Sequence, residues 1–337
     1  MSMSTIRMRD ILALIAVVAI VLAMIPTIVL TSLVGATDNG TIIVDFQTGD
    51  SPPTVNSVTL YDNATTTPET TMTPLVEYVV RVNVTEGLTL DNLTTVTAWL
   101  YYSDNSTFAW PGYTDTNINS QTIAKFTWTK GSGFAMASNG TWELVASDCQ
   151  APPDLGQSTG NFDFHFKPGK VAHESTSDTH EWRIYALASN GTDTVSNHQT
   201  GLEMNWYGEI SVAGTVHIGS VSPGQNDKQS DVFGNTYIAN GTYTRAVSAA
   251  TSWTGPRTLS LVTGAPGASQ FALEANETSG TSGATVVSGS YASLGSSHGI
   301  TGDAGDLIST NYLFLSLGST GVPSGTYSGN VYYEIHS

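Results

Sequence analysis

The sequence predicts an all-β protein, with two tandem β-sandwich domains of immunoglobulin-like kind behind an N-terminal hydrophobic helix. Three observations support this prediction. The run Ile11–Val34 contains 24 residues and no charge. After it, short segments that alternate apolar and polar residues follow one another, with turn-forming residues between them. No convincing amphipathic helix interrupts this series. We therefore expect a helix within residues 1–36, a first sandwich over residues 37–202 and a second over residues 203–337.

The hydrophobic run is long enough to cross a membrane, because a bilayer core about 30 Å thick needs roughly 20 apolar helical residues. Arg7 and Arg9 precede Ile11–Val34, which predicts a cytoplasmic N-terminus and an external position for residues beyond Gly35. A signal peptide cleaved after Val34-Gly35-Ala36 is one alternative, and a pilin-type helix packed in a filament core is another. Length favours a retained membrane anchor, since signal peptides usually have apolar cores of about 7–15 residues.

The first predicted sandwich contains six strand candidates. The clearest alternates valines with polar side chains over Val76–Val84, a two-residue period that indicates one buried face. The other strand candidates are Thr95–Tyr102, Ile123–Trp128, Thr141–Val145, Phe162–Phe166 and Glu181–Ala188. We expect the linker to the second sandwich near Asn197–Leu202.

In the second predicted sandwich the last candidate, Tyr327–Ile335, has the most regular alternation. Val331 and Tyr333 fall on one face, Tyr332 and Glu334 on the other. An edge position would leave this strand open to pairing with another chain, whereas a central position would not. The other candidates are Met204–Val212, Thr215–Val221, Tyr243–Ala250, Thr258–Val262, Gln270–Ala275, Ala284–Tyr291 and Tyr312–Leu317.

Charge and cysteine content narrow the functional classes. The formal net charge is −17, and the 11 lysines and arginines are scattered, so no basic patch for nucleic acid is expected. The single cysteine, Cys149, cannot form an intramolecular disulfide. We expect a partly buried thiol, with an intermolecular bridge as the alternative.

Nine Asn-x-Ser/Thr sequons follow the hydrophobic run, on the side predicted to be external. There they would meet a glycosylation machinery, so we predict them as N-glycosylation sites. Most fall in predicted turns, and we expect each to be able to carry a glycan without burying it. They are Asn39, Asn63, Asn83, Asn92, Asn105, Asn139, Asn190, Asn240 and Asn276.

No catalytic or metal-binding residues are predicted, and we do not expect an enzyme. Gly156–Gly160 and Gly295–Gly299 match G-x-S-x-G, but neither precedes the helix that a nucleophile elbow requires. His173, Glu174, Asp178, His180 and Glu181 lack the spacing of a zinc motif. No cofactor is expected. Structural calcium remains an alternative, bound by Asp303 and Asp306 or by Asn226, Asp227 and Asp231.

The segment Trp110-Pro111-Gly112-Tyr113 is an aromatic loop of the sort that carbohydrate binders expose. Packing over one end of a sandwich is the structural alternative.

The tandem β layout, the sequons and the stretches Thr236–Tyr243 and Val322–Gly329 together resemble archaeal cell-surface glycoproteins, including S-layer-associated proteins and subunits of extracellular filaments. The resemblance implies a structural role in the envelope. It transfers no functional residues. Separately, we expect copies of the chain as partners, through lateral contacts between subunits, and residues 11–34 in the membrane. A glycan-binding adhesin is the alternative function.

Overall fold

The computed structural model describes residues 51–337 except residues 106, 138, 176–179 and 213. The run Ile11–Val34, the predicted N-terminal helix and the sequon at Asn39 lie outside the described residues. Within the described part of the chain, no helix has the length and apolar character needed to cross a bilayer.

The prediction of an all-β protein is confirmed, since the described residues form strands and two short 3-10 turns, Leu90–Asn92 and Asp115–Asn117. Ten strands lie in a first module, residues 51–204. They are β1 (Thr54–Asp62), β2 (Thr71–Met72), β3 (Tyr78–Thr85), β4 (Thr95–Ser103), β5 (Ile123–Thr129), β6 (Gly133–Met136), β7 (Glu143–Leu144), β8 (Thr159–Lys167), β9 (Glu181–Ser189) and β10 (Thr194–Met204).

The first module consists of two sheets that share one apolar core. Sheet I has the strand order β1-β3-β8-β7, and sheet II has the order β2-β10-β9-β4-β5-β6. Alternation explains the packing, because Val80 and Val82 of β3 and Phe164 of β8 are buried against Trp182 and Ile184 of β9. Each such side chain contributes roughly 1.5–3 kcal/mol when fully buried.

Eleven strands form the second module, residues 208–337. They are β11 (Gly208–Ser211), β12 (Lys228–Gln229), β13 (Phe233–Ala239), β14 (Thr244–Ala249), β15 (Ser252–Trp253), β16 (Leu259–Val262), β17 (Gln270–Asn276), β18 (Thr285–Val287), β19 (Ala292–Ser293), β20 (Asp306–Leu317) and β21 (Val331–His336). Sheet III runs β11-β13-β20-β17-β16-β15, with β12 paired to β20 and β18 to β17. Sheet IV has the order β19-β14-β21.

The second core lies between sheets III and IV. Phe271 and Leu273 of β17 and Leu315 of β20 pack with Val247 of β14. Thr215–Val221, predicted as a strand, is irregular in the structure. Its apolar side chains nevertheless pack against the core, which explains the alternation that suggested a strand.

The predicted linker Asn197–Leu202 is wrong, because these residues belong to β10. The strand escaped prediction since its first seven residues are almost all polar and show no apolar face. Met204 is still buried in the first core, while Trp206 packs in a cluster of the second module. The change from one module to the other therefore falls at residues 205–207.

Candidate functional site

The last strand lies at the edge of its sheet. β21 pairs with β14 in an antiparallel register that runs from Thr244↔His336 to Ala249↔Val331. In sheet IV, β14 is the central strand and β21 is an outer one. β11 approaches β21, with some Cα atoms within 8 Å, but no ladder joins these two strands. The sequence left an edge position and a central position open for this strand, and the structure shows the edge position.

The two faces of β21 differ as its alternation predicts. Val331 and Tyr333 pack against the second core, and Ile335 packs against the neighbouring cluster of Tyr237. Burial raises the pKa of Tyr333 above its ordinary value. On the opposite face, Tyr332 is 45% exposed. The strand thus anchors itself on one side and presents an aromatic ring on the other.

Besides β21, β1 is the described strand of six or more residues that ends a sheet. Amide side chains of β10 form hydrogen bonds with its outer backbone. Gln199 Oε1 accepts a hydrogen bond from Leu60 N at 2.8 Å. Asn197 Nδ2 donates to Val55 O at 3.0 Å. An incoming strand would have to displace these bonds, so β1 is guarded against pairing with another chain.

The sequons differ in accessibility. Asn63 and Asn105 are exposed, which suits glycan acceptors. Asn83 and Asn276 already use their amide nitrogens, since Asn83 Nδ2 donates to Asn161 Oδ1 at 2.6 Å and Asn276 Nδ2 donates to two backbone carbonyls. The half-buried sequon asparagines are Asn83, Asn92, Asn190 and Asn276.

The expectation that every sequon could carry a glycan without burying it is wrong for Asn139 and Asn240. Asn139 is 4% exposed, and its Nδ2 donates to Ile123 O at 2.7 Å. Asn240 is fully buried, and its Nδ2 donates to Ala172 O and Asn205 O at 2.8 and 2.9 Å. A glycan replaces one hydrogen of Nδ2 and needs space, which this fold does not provide at either position.

The aromatic loop packs onto the outer face of sheet II. Trp110 stacks on Tyr185 with ring centroids 4.1 Å apart and an interplanar angle of 12°. It also meets Tyr101 edge-on at 5.4 Å. Buried Arg183 stabilises the segment that precedes the loop, because its Nη1 donates a hydrogen bond to Thr107 O at 3.1 Å. The indole face is therefore occupied by protein, as the packing alternative expects.

Where the structure describes the chain, the remaining sequence candidates form no group of three metal-ligating side chains. His173 stacks on Tyr102 at 4.1 Å, while Glu181 pairs with Arg183 at 2.5 Å. Asp178 lies outside the described residues. Asp303 Oδ1 accepts from the Thr141 hydroxyl at 3.0 Å and thereby joins the two modules. Among the described residues, no helix follows either G-x-S-x-G match.

Cys149 fits the interpretation of a partly buried thiol. Its Sγ accepts a hydrogen bond from His165 N at 3.2 Å. Burial raises the pKa of the thiol to about 11. Because the thiolate is the reactive form, such a thiol reacts slowly at neutral pH.

Three ligand-type side chains that the sequence analysis did not select meet on the outer face of sheet I. Glu77, Asp148 and His165 each offer a ligand atom, and these atoms lie within 4.8 Å of one another. His165 is 6% exposed, and its Nδ1 lies 2.8 Å from Glu77 Oε1. A sequence signal exists, since Asp163 and His165 alternate with three phenylalanines in β8. Glu77 and Asp148 lie outside this strand in sequence, and no pattern around them predicted that they would meet His165.

No family model matches the chain, and no curated protein matches it significantly. The resemblance to archaeal cell-surface glycoproteins therefore depends on the sequence alone, and the function must be argued from the structure.

Proposed function

We propose that this chain is a structural cell-surface glycoprotein that forms or decorates an envelope layer or an extracellular filament by association with copies of itself. The observation that carries the proposal is the position of β21 at the edge of sheet IV, where its outer side is joined to no other described strand by a ladder. In the described part of the chain, β1 and β21 are the sheet-end strands of six or more residues, and the backbone of β1 is covered by Asn197 and Gln199. β21 is therefore the strand best suited to accept another chain.

The chemistry of β21 supports strand addition. Natural edge strands are usually protected by lysine, proline or a bulge. β21 contains neither lysine nor proline, and its register with β14 is continuous. Backbone hydrogen bonds to an added strand would supply affinity, and exposed Tyr332 would supply apolar contact.

The order of the strands supports an immunoglobulin-like first module. Sheet I, β1-β3-β8-β7, corresponds to strands A-B-E-D of that fold. In sheet II, β10-β9-β4-β5-β6 corresponds to strands G-F-C-C′-C″ of the variable type. Sandwiches of this kind are common in cell-surface proteins. With the exposed sequons Asn63 and Asn105 and the run Ile11–Val34 as anchor or export signal, this module fits an external location.

Lysine substitution at the edge tests the proposal. Tyr332→Lys should abolish or strongly reduce assembly, because strand addition would desolvate the new charge. The exposed side chain of Tyr332 lies outside the core, so the fold should be retained. Leu88→Lys, which changes another exposed apolar residue in the first module, is the matched control and should assemble normally. Electron microscopy and light scattering of the purified protein give the measurement.

Deletion of Tyr333–Ser337 is the second variant. It should abolish assembly while the first module, whose core contains none of these residues, stays folded. If Tyr332→Lys and the deletion both assemble like the wild type, pairing at β21 is the wrong mechanism.

A glycan-binding adhesin is the second candidate function. A cavity of about 200 Å³ adjoins the aromatic loop and is lined by Tyr102, Asp104, Tyr113 and Arg183 among others. Aromatic and charged side chains of this kind can hold a sugar. Binding of glycans by a monomeric wild-type protein would favour this candidate over assembly.

A further inference from the structure

Glu77, Asp148 and His165 come from three separate parts of the first module. Glu77 directly precedes β3, His165 lies in β8, and Asp148 belongs to the loop between β7 and β8. The loop runs along the edge of β8, where Gln150 and Asp163 exchange backbone hydrogen bonds at 3.0 and 2.8 Å. The loop thereby brings Asp148 beside His165, which is 6% exposed and whose Nδ1 lies 2.8 Å from Glu77 Oε1.

The cluster has more negative than positive charge nearby. Arg81 is the adjacent cation, and its guanidinium already donates two hydrogen bonds of 2.8 Å each to the carboxylate of Asp163. Two carboxylates, Glu77 and Asp148, thus converge on one imidazole.

The donor set selects a class of metal. One imidazole nitrogen with two carboxylate oxygens suits zinc and similar divalent transition metals, whereas calcium is bound by oxygen ligands alone. Zinc lies about 2.0–2.2 Å from nitrogen and oxygen ligands. The ligand atoms of the three side chains lie up to 4.8 Å from one another, so they must move closer together to bind one ion. Asp148 is exposed and can rotate toward the other two ligands. Three protein ligands leave the fourth tetrahedral position to water.

The geometry points to a divalent transition-metal site, with zinc as its type case, formed by Glu77, Asp148 and His165. A bound ion neutralises the converging carboxylates and ties the β7–β8 loop to sheet I. In a chain whose one cysteine cannot form an internal disulfide, this cross-link stabilises the first module. The inference is independent of assembly through β21.

Zinc titration of the untagged full chain tests the site. In metal-free buffer, isothermal titration calorimetry should give saturable binding with one ion per chain. Zinc should also raise the melting temperature, because the site exists only in the folded state. Asp148→Asn and Glu77→Gln keep the side-chain shape and remove a charged ligand, so each should weaken binding by about tenfold or more.

Asp115→Asn is the matched control, since it removes one exposed carboxylate elsewhere in the first module and should bind zinc like the wild type. Absence of saturable zinc binding by the wild type would overturn the inference. Equal affinity in the wild type, Asp148→Asn and Glu77→Gln would overturn it as well, because the ion would then be bound elsewhere. Binding of calcium in preference to zinc would contradict the assigned metal class.

Discussion

At the scale of single residues, Asn240 has a structural role that its sequon conceals. Besides its two Nδ2 hydrogen bonds, its Oδ1 accepts from Tyr207 N at 2.7 Å. Its backbone carbonyl accepts from Glu174 N at 2.8 Å. One amide thus links a loop of the first module, the connecting residues and the end of β13. This network occupies the nitrogen atom that a glycan would need.

Substitution of Asn240 separates the structural role from glycosylation. Asn240→Ala should lower the free energy of unfolding by about 3 kcal/mol, because each buried polar group left unpaired costs roughly 1–3 kcal/mol. Thr242→Ala destroys the same sequon but changes an exposed side chain, so its effect should stay within about 0.5 kcal/mol. Urea denaturation measures both variants. Intact mass should show no glycan lost in Thr242→Ala, and a lost glycan would contradict the structural assignment.

At the scale of elements, a charged cluster connects β14 and β20 with the loops that follow β17 and β19. Arg245 of β14 is 1% exposed and contacts the Glu277 carboxylate and His298 Nε2. Since the guanidinium can only donate, His298 must accept at Nε2 and therefore be unprotonated. Burial lowers the pKa of His298, Arg245 lowers it further, and Asp306 partly opposes them.

The cluster predicts that stability falls in mild acid. A histidine whose pKa is lower in the folded than in the unfolded chain contributes stability that is present above the unfolded value, about 6.5, and is lost as pH falls through the folded value. The melting temperature should therefore drop between pH 7.5 and pH 5. His298→Gln, which keeps an acceptor for Arg245, should reduce this drop. His217→Gln, at an exposed histidine, is the control and should leave the drop unchanged. An equal drop in wild type and His298→Gln would refute the role of His298.

The edge strands show at the same scale that neighbours decide which strand can accept a partner. β1 is longer than β21, yet Asn197 and Gln199 reach across from sheet II and bond to its backbone. Side-chain amides can replace a paired strand because they offer a donor and an acceptor of the same kind as the peptide group. β10 thus protects β1 through polar residues that lack the pattern of a buried strand.

At the scale of the whole molecule, the two described modules belong to one compact unit. Polar contacts join them at several points. Gln121 Nε2 donates to Thr301 O at 2.9 Å, and Lys170 pairs with Glu209 at 2.6 Å. The Thr141 hydroxyl donates to Asp303 Oδ1. These bonds restrain the modules relative to each other although each has its own core.

A single calorimetric transition is the expected consequence. The wild-type protein should unfold with a calorimetric enthalpy close to the van't Hoff enthalpy. Asp303→Ala removes the acceptor of Thr141, a loss of about 2 kcal/mol for a hydrogen bond to a charged group, and should broaden or split the transition. Asp303→Asn retains an acceptor oxygen and should behave more like the wild type. Two transitions in the wild type would show that the contacts do not couple the modules.

Much of the first module could be predicted from sequence. β3, β4, β5, β8 and β9 alternate apolar and polar residues, so each was found within a few residues of its bounds. β10 was missed because its polar residues serve the edge of β1, a role that no local pattern encodes. β13 was missed as well, although Tyr237 and Ala239 are buried there.

The sequence alone determined the all-β class, the alternating faces of the strands and the positions of the sequons, because these follow from local periods and short motifs. Tertiary structure decided which strand ends a sheet, which sequons are buried and which distant side chains meet. Glu77 and His165 lie 88 positions apart, and only the pairing of β3 with β8 brings them together. Burial and edge position depend on such long-range contacts, and a local pattern does not contain them.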